Sequence, residues 1–200
     1  MDLWIVGAGG VGRETVDVAL AVGADVSGFL DDGPTSGLVQ GLVVRPIDDL
    51  EAGSAFLVAI GAPGARLAVA GRVAALGGRP VSLVHPTSVI GSGTTVGPGA
   101  LVMGLAHVSC SVALGPHTQI HYGATVGHDT VLDEGATVLP GANVAGTVHI
   151  GRAATVGSGA IVLQGRSIGA GALVGAGAVV THDVPPGVVV VGSPARPLER

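Results

Sequence analysis

No lysine occurs in this chain: its nine basic side chains are all arginine, against fourteen acidic ones. A formal net charge of −5 excludes the basic stripe that tracks a phosphate backbone, so no nucleic-acid surface is expected. Aromatic residues make up only 2%, which fits an interior too narrow for rings. The single cysteine, Cys110, excludes an intrachain disulfide and suits a reducing, cytoplasmic setting. Mean hydropathy is high, +0.65, yet the sequence has no run of about 18 uninterrupted apolar residues, so no membrane insertion is expected. It also lacks a basic segment ahead of an apolar one at its start, and secretion is not indicated.

Glycine, by contrast, is abundant, at 36 of 200 residues, and so is repetition. Residues 85–180 divide without insertion or deletion into sixteen six-residue blocks, from HPTSVI and GSGTTV to GAGAVV, each ending in Ile, Val or Leu. A fixed period of this kind marks a solenoid, and period six points to a hexapeptide β-helix. Helices need a period near 3.6 and half-buried strands one near two, and neither alone explains six. A short flat strand followed by a corner does, with three sides closing a triangular coil. The aliphatic at block position six then points into the prism, and position four shares its face and must be small. Position four is Ala, Ser or Thr in thirteen blocks, the exceptions being Val112, Val148 and Arg166. Glycine at position one, in eight blocks, is read as a corner residue admitting positive φ. The repeat amounts to about five coils, roughly 25 Å of prism.

Residues 1–84 lack the repeat and read as a separate domain, followed by the prism over 85–182 and a tail over 183–200. Residues 3–6 form an apolar strand, after which Gly7-Ala8-Gly9-Gly10-Val11-Gly12 opens a helix running to Val22. A second strand over 26–30 ends in Asp31-Asp32, and a third over 56–60 leads to Gly61-Ala62-Pro63-Gly64 and a helix near 66–76. Residues 81–84 read as a last strand leading into the prism. Alternating strands and helices imply an α/β domain, a small parallel sheet with helices packed on it. Gly7-x-Gly9-x-x-Gly12 matches the loop that brings backbone N–H groups to a phosphate at a helix N-terminus. Asp31, some twenty residues on, stands where an acidic residue accepts ribose or base hydrogen bonds. With the Ile60-Gly61 turn, these features favour a nucleotide. NAD is less attractive, because about 80 residues lack the second half of a dinucleotide fold.

Prisms of this kind serve mostly as scaffolds for acyl transfer, and histidines stand out on faces that normally display small or apolar side chains. The repeats hold His107, His117, His121, His128 and His149, with His85 before and His182 after. His128 is favoured because Asp129 follows it directly. Attack of an amine or hydroxyl on a thioester needs a base, and an imidazole titrates in the useful range, with a carboxylate to fix its tautomer. Neighbours on a flat strand point opposite ways, so the two can meet only if the chain turns at 127–129. A metal reading would take His117, His121 and His107 as zinc ligands. Cys110 is read as a small residue compatible with the interior.

The sequence resembles the bacterial sugar O- and N-acyltransferases, which join an N-terminal nucleotide-sugar domain to a left-handed parallel β-helix. Sialic-acid O-acetyltransferase-like proteins and UDP-4-amino-sugar N-acetyltransferases are among them. The resemblance rests on Val6-Gly7-Ala8-Gly9-Gly10, Gly28-Phe29-Leu30-Asp31-Asp32, Ala59-Ile60-Gly61, Val84-His85-Pro86 and Gly127-His128-Asp129, with the tail from Asp183-Val184-Pro185-Pro186-Gly187 to Val191-Gly192-Ser193-Pro194-Ala195-Arg196. It covers nearly the whole chain and implies a Rossmann-like front domain, a homotrimer, and acetyl-CoA sites between adjacent prisms. By motif position, Gly9, Gly10, Val11, Asp31, Asp32 and Gly61 would hold the nucleotide sugar, and His128 would be the general base supported by Asp129. The thioester and pantetheine would lie near Thr137, Gly146, Ser158 and Ala176, the last through its backbone. Arg196, or less favourably Arg166, would meet a CoA phosphate. No metal is expected.

Two positions depart from the family. Thr137 stands where many relatives have a second histidine, and His121 where the UDP-amino-sugar enzymes usually have Asn. These changes leave open the acceptor and the choice of base between His121 and His128. The leading expectation is acetylation of an amino group on a nucleotide-activated sugar. Against it stand O-acetylation of a sialic acid or other sugar, a zinc lyase of the carbonic-anhydrase kind, and a non-catalytic nucleotide-sugar-binding scaffold.

Overall fold

The computed structural model describes residues 2–33 and 37–198. The front domain contains strand β1 (Asp2–Val6), helix α1 (Gly10–Ala21), β2 (Asp25–Leu30), β3 (Leu38–Val39), β4 (Leu42–Arg45), β5 (Ala55–Val58), helix α2 (Pro63–Ala75) and β6 (Arg79–Pro80). Its sheet runs β3-β4-β2-β1-β5-β6, parallel except for the β3–β4 pair. Leu3 and Ile5 of β1 and Phe56 and Leu57 of β5 are fully buried, as strands covered on both faces require. The β3–β4 hairpin did not stand out in the sequence. Its two-residue turn uses Gln40 (φ +49) and Gly41 (φ +77), the paired positive φ of a tight hairpin with Gln in place of the usual Asn or Asp. The strand expected over 81–84 is split. Arg79–Pro80 closes the front sheet beside β5, and Leu83–Val84 opens the prism against Leu101–Val102.

The prism has three sides. The first carries seven parallel strands, among them Leu83–Val84, Gln119–Ile120, Thr137–Val138 and Leu173–Val174, plus the antiparallel Arg196–Pro197. The second side includes Thr125–Val126 and Asn143–Val144, and the third Val131–Leu132 and His149–Ile150. Position six fills the interior as expected: Val108, Ile120, Val138, Val156 and Val174 are fully buried, each contributing about 1.5–3 kcal/mol relative to exposure. Position four holds Ala100, Thr118, Ala124, Thr130 and Ala136, also fully buried. Arg166 escapes by reaching to the Gln164 carbonyl and toward Asp183.

The corner geometry differs from expectation. Positive φ falls at position three, from Gly93 to Gly177, and six of those residues are not glycine, Leu105, His117 and Asp129 among them. Glycine at position one answers a steric demand instead. A Cβ on Gly127 would stand 2.4 Å from the Gly146 nitrogen of the next coil, and one on Gly151 2.7 Å from that of Ala170.

The two domains share a core. One face of the front sheet, with α1, packs on Leu83, Leu101 and Met103 of the prism, while the other face packs under α2. The front domain therefore sits on the first side of the prism and leaves the second and third sides open.

Candidate active site

The strand order reverses between β1 and β5, because the chain goes from β1 to β2 and β4 and then returns to β5. Open α/β sheets take ligands beyond the carboxyl ends of their strands at such a point. A cleft of about 260 Å³ lies there, lined by the turn after β1 (Gly7, Gly9, Gly10, Val11), by Asp31, and by Ala59, Ile60 and Gly61. Five of the six expected nucleotide-binding residues therefore converge. Gly7 takes φ +105, and a Cβ on Gly12 would stand 1.9 Å from the Gly7 oxygen, so glycine closes this loop tightly under α1. Gly9 caps the helix without a side-chain bond, leaving first-turn N–H groups open to an anion.

Asp31 has a structural task. Its Oδ2 accepts from the Ala8 N–H and its Oδ1 from the Gly33 N–H, both at 2.7 Å, tying the glycine loop to the end of β2. A carboxylate has about four acceptor positions, so capacity for a ligand hydroxyl remains. Asp32 does not line the cleft. It accepts from the Ile47 N–H at 3.0 Å and pairs with Arg72, and these bonds, the Ile47 amide first, hold its carboxyl below the usual range.

On the corner between the second and third sides, the turn needed for a His-Asp pair is present. Asp129 adopts φ +57, and His128 Nδ1 meets Asp129 Oδ2 at 2.8 Å. The side chains are 50% and 59% exposed. An Nδ1–H bonded to the carboxylate leaves the lone pair on Nε2. Gly146 occupies the same corner position one coil further on. A Cβ there would stand 2.6 Å from Nε2, so glycine at 146 makes room for the ring. The corner is held from both sides: the Thr147 N–H donates to the His128 oxygen at 2.7 Å, and the Asp129 N–H to the Cys110 oxygen at 3.2 Å.

Beneath the front domain the first side is different in character. Arg66 of α2 is fully buried and uses all five donors. Nε donates to the His117 carbonyl at 2.9 Å, Nη1 to those of Ile60 (2.8 Å) and Gly61 (3.2 Å), and Nη2 to the Gly135 carbonyl (2.6 Å) and Thr137 Oγ1 (2.7 Å). Burial lowers its pKa to about 10, so it remains a cation at neutral pH. His121, 3% exposed, is pushed down to about 4 by burial and secondarily by the Arg66 charge, and its Nε2 has no partner. His117 is lowered mainly by burial, and its Nδ1 is also unpartnered. Gln119 donates from Nε2 to the Val58 carbonyl at 3.4 Å. Thr137 is fully buried in this group, as the acceptor for Arg66.

Residues 2–73 match the PglD N-terminal domain. The whole chain superposes on a mutant GDP-perosamine N-acetyltransferase from Caulobacter crescentus, in complex with CoA and GDP-perosamine, with 30% identity and a TM-score of 0.94, covering 100% of this chain and 98% of that one. The acetyltransferase domain of PglB from Neisseria gonorrhoeae, in complex with acetyl coenzyme A, matches with 34% identity and a TM-score of 0.93, covering 98% of each chain. This chain belongs to the bacterial sugar acetyltransferase family. WeeI from Acinetobacter baumannii is similar as well, at 29% identity and a TM-score of 0.92 over 99% of this chain and 100% of that one. No curated protein sequence matches.

The acetyltransferase thus has the architecture expected of it, a Rossmann-like domain on a left-handed parallel β-helix, and it is an acyltransferase. Its remaining expected site residues are spread over the prism. Ser158 and Ala176 occupy the corner between the first and second sides, one corner away from His128 and Gly146. Arg196 lies at the far end, lining a second cleft of about 350 Å³ with His182 and Asp183. His182 holds the same block position as His128, so that cleft ends the edge on which His128 stands. His107 is on the second side, His117 and His121 on two different corners, and among the described residues no three His, Cys, Asp or Glu side chains group as metal ligands. No described helix is long and apolar enough to cross a membrane.

Proposed function

We propose that this acetyltransferase transfers the acetyl group of acetyl-CoA to the amino group of a UDP-activated 4-amino sugar, with His128 as general base. The observation that carries this reading is the exposed His128–Asp129 pair with its free Nε2 against Gly146. Asp129 holds the ring and its tautomer. The amine nitrogen attacks the thioester carbonyl, a C–N bond forms, and the C–S bond breaks. His128 Nε2 takes the proton from the amine and passes it to the departing CoA sulfur. The Gly146 N–H donates to no protein acceptor among the described residues, which suits it to the developing oxyanion. His121, buried and held neutral at pH 7, is less suited to exchange protons with solvent or substrate.

The nucleotide belongs in the front cleft, between the glycine loop and Gly61. His128 stands on one corner of the prism and Ser158 and Ala176 on another, and in this reading a second copy supplies one of the two corners to each site. A homotrimer with acetyl-CoA between adjacent prisms meets that condition, and Arg196 would receive a CoA phosphate. A cytoplasmic setting is part of the same reading. A GDP-linked sugar is the second reading, favoured by the likeness to an enzyme bound to GDP-perosamine.

The test is release of CoA thiol with mass analysis of products across UDP- and GDP-linked 4-amino sugars and sialic acids. An amide on a UDP sugar is expected. Turnover of the GDP sugars alone would shift the nucleotide, an ester product would overturn the amine assignment, and nucleotide binding without turnover would indicate a scaffold.

A further inference from the structure

We infer that Arg66 is a positioning residue for the nucleotide: it makes the loop after β5 a pair of outward-facing amide donors and fixes that loop to the prism. The inference rests on the cleft being the nucleotide site, as proposed above. Arg66 Nη1 draws the carbonyls of Ile60 and Gly61 onto a buried cation. In a trans peptide the C=O and the following N–H point in opposite directions. The N–H groups of Gly61 and Ala62 are therefore aimed away from Arg66, in the loop where Ile60 and Gly61 line the cleft. Neither donates to a protein acceptor among the described residues. Pro63, which follows, has no N–H, so within the loop ahead of α2 these two amides are the donors facing away from Arg66.

Across the cleft stand the open first-turn amides behind Gly9. A diphosphate between the two loops receives donors from both. No salt bridge to a carboxylate neutralises Arg66 among the described residues, so its charge adds to the field of those amides instead of being cancelled. Its other donors reach the prism, at the His117 and Gly135 carbonyls and Thr137 Oγ1. One guanidinium thus shapes the cleft and sets its position relative to the prism on which the acetyl group is transferred. Thr137 takes part through Arg66, with its hydroxyl orienting the fork.

The test measures Kd for UDP, GDP and CoA by calorimetry, with Tm, in the wild type, Arg66→Met and Thr137→Val. Arg66→Met is expected to weaken the preferred nucleoside diphosphate by about tenfold or more while CoA affinity stays within about twofold. Thr137→Val, which keeps the cation and removes one bond that orients it, is expected to act in the same sense by about two- to fivefold. A purely structural arginine would lower Tm and leave both affinities of the folded protein unchanged, and that result overturns the inference. So does a Thr137→Val variant that loses CoA affinity in place of nucleotide affinity. Thr137→Val alone decides the matter where Arg66→Met does not fold. Wild type that binds neither UDP nor GDP refutes the nucleotide reading of the cleft, and the inference falls with it.

Discussion

Two histidine-bearing regions of the prism stand on the same repeat and behave in opposite ways. His128 sits on an open corner, half exposed and paired with Asp129. His117 and His121 lie under the front domain, each with a ring nitrogen left without a partner. Both regions are built on the same corner geometry, with Asp129 and His117 at the same block position and φ +57 and +56. The difference lies in what this chain packs over them: the corner of His128 is left half exposed, and the other region lies under the front domain with the buried cation of Arg66. A solenoid provides near-identical brackets along its length, and the chemistry at each is decided by what packs over it. The open corner has the pair suited to move protons, and the covered side has the groups suited to fix a ligand in place.

The sharpest way to break this comparison is to remove the open pair. His128→Ala should lower turnover by about 10²-fold or more, within the range of a general base, while Tm and UDP or GDP affinity hold steady. Retention of most activity would move the proton transfer elsewhere, with His121 the next residue to test. A smaller effect is expected from the covered side. His121 is depressed from 6.5 to about 4 in the folded protein, so the unfolded chain binds more protons between those values. Stability is then complete above about pH 6.5 and is lost as pH falls through about 4, by up to about 3 kcal/mol for this group. Chemical denaturation from pH 7 to 4.5 should show that slope in the wild type and a flatter one in His121→Gln. Equal slopes would mean that His121 titrates normally. Smallest of all should be the effect of His149→Ala. His149 Nε2 meets Asp133 at 2.9 Å, an exposed pair resembling that of His128 but on the third side. Its loss should leave turnover within about twofold and shift stability by less than about 0.5 kcal/mol, as surface pairs generally do. A large loss of activity would show that a His-Asp pair matters wherever it stands.

Much of this was legible in the chain because it is local and periodic. The six-residue period defines strand, corner and interior without reference to distant residues, and Gly7-x-Gly9-x-x-Gly12 encodes its own tight turn. The reason for glycine at block position one was not legible, because the backbone that approaches it belongs to the next coil. Arg66 gave even less signal. Arg66 and Arg72 stand alike among the small and apolar residues of α2 and both read as solvated side chains, while the prism partners of Arg66, His117, Gly135 and Thr137, lie 51, 69 and 71 residues away. Asp31 and Asp32 look equivalent in sequence, and the fold sets one at the cleft and the other on Arg72. The His128–Asp129 contact depended on a turn at Asp129, where a non-glycine residue with positive φ has no local marker.

The division of the site between corners is tested most directly by mixing subunits. His128→Ala and Ser158→Trp are each expected to inactivate the enzyme when present in every copy. Co-assembled, they should recover roughly a quarter of wild-type turnover, the statistical share for a site that takes one corner from each of two neighbours. A mixture that assembles and stays inactive would contradict a site shared between copies.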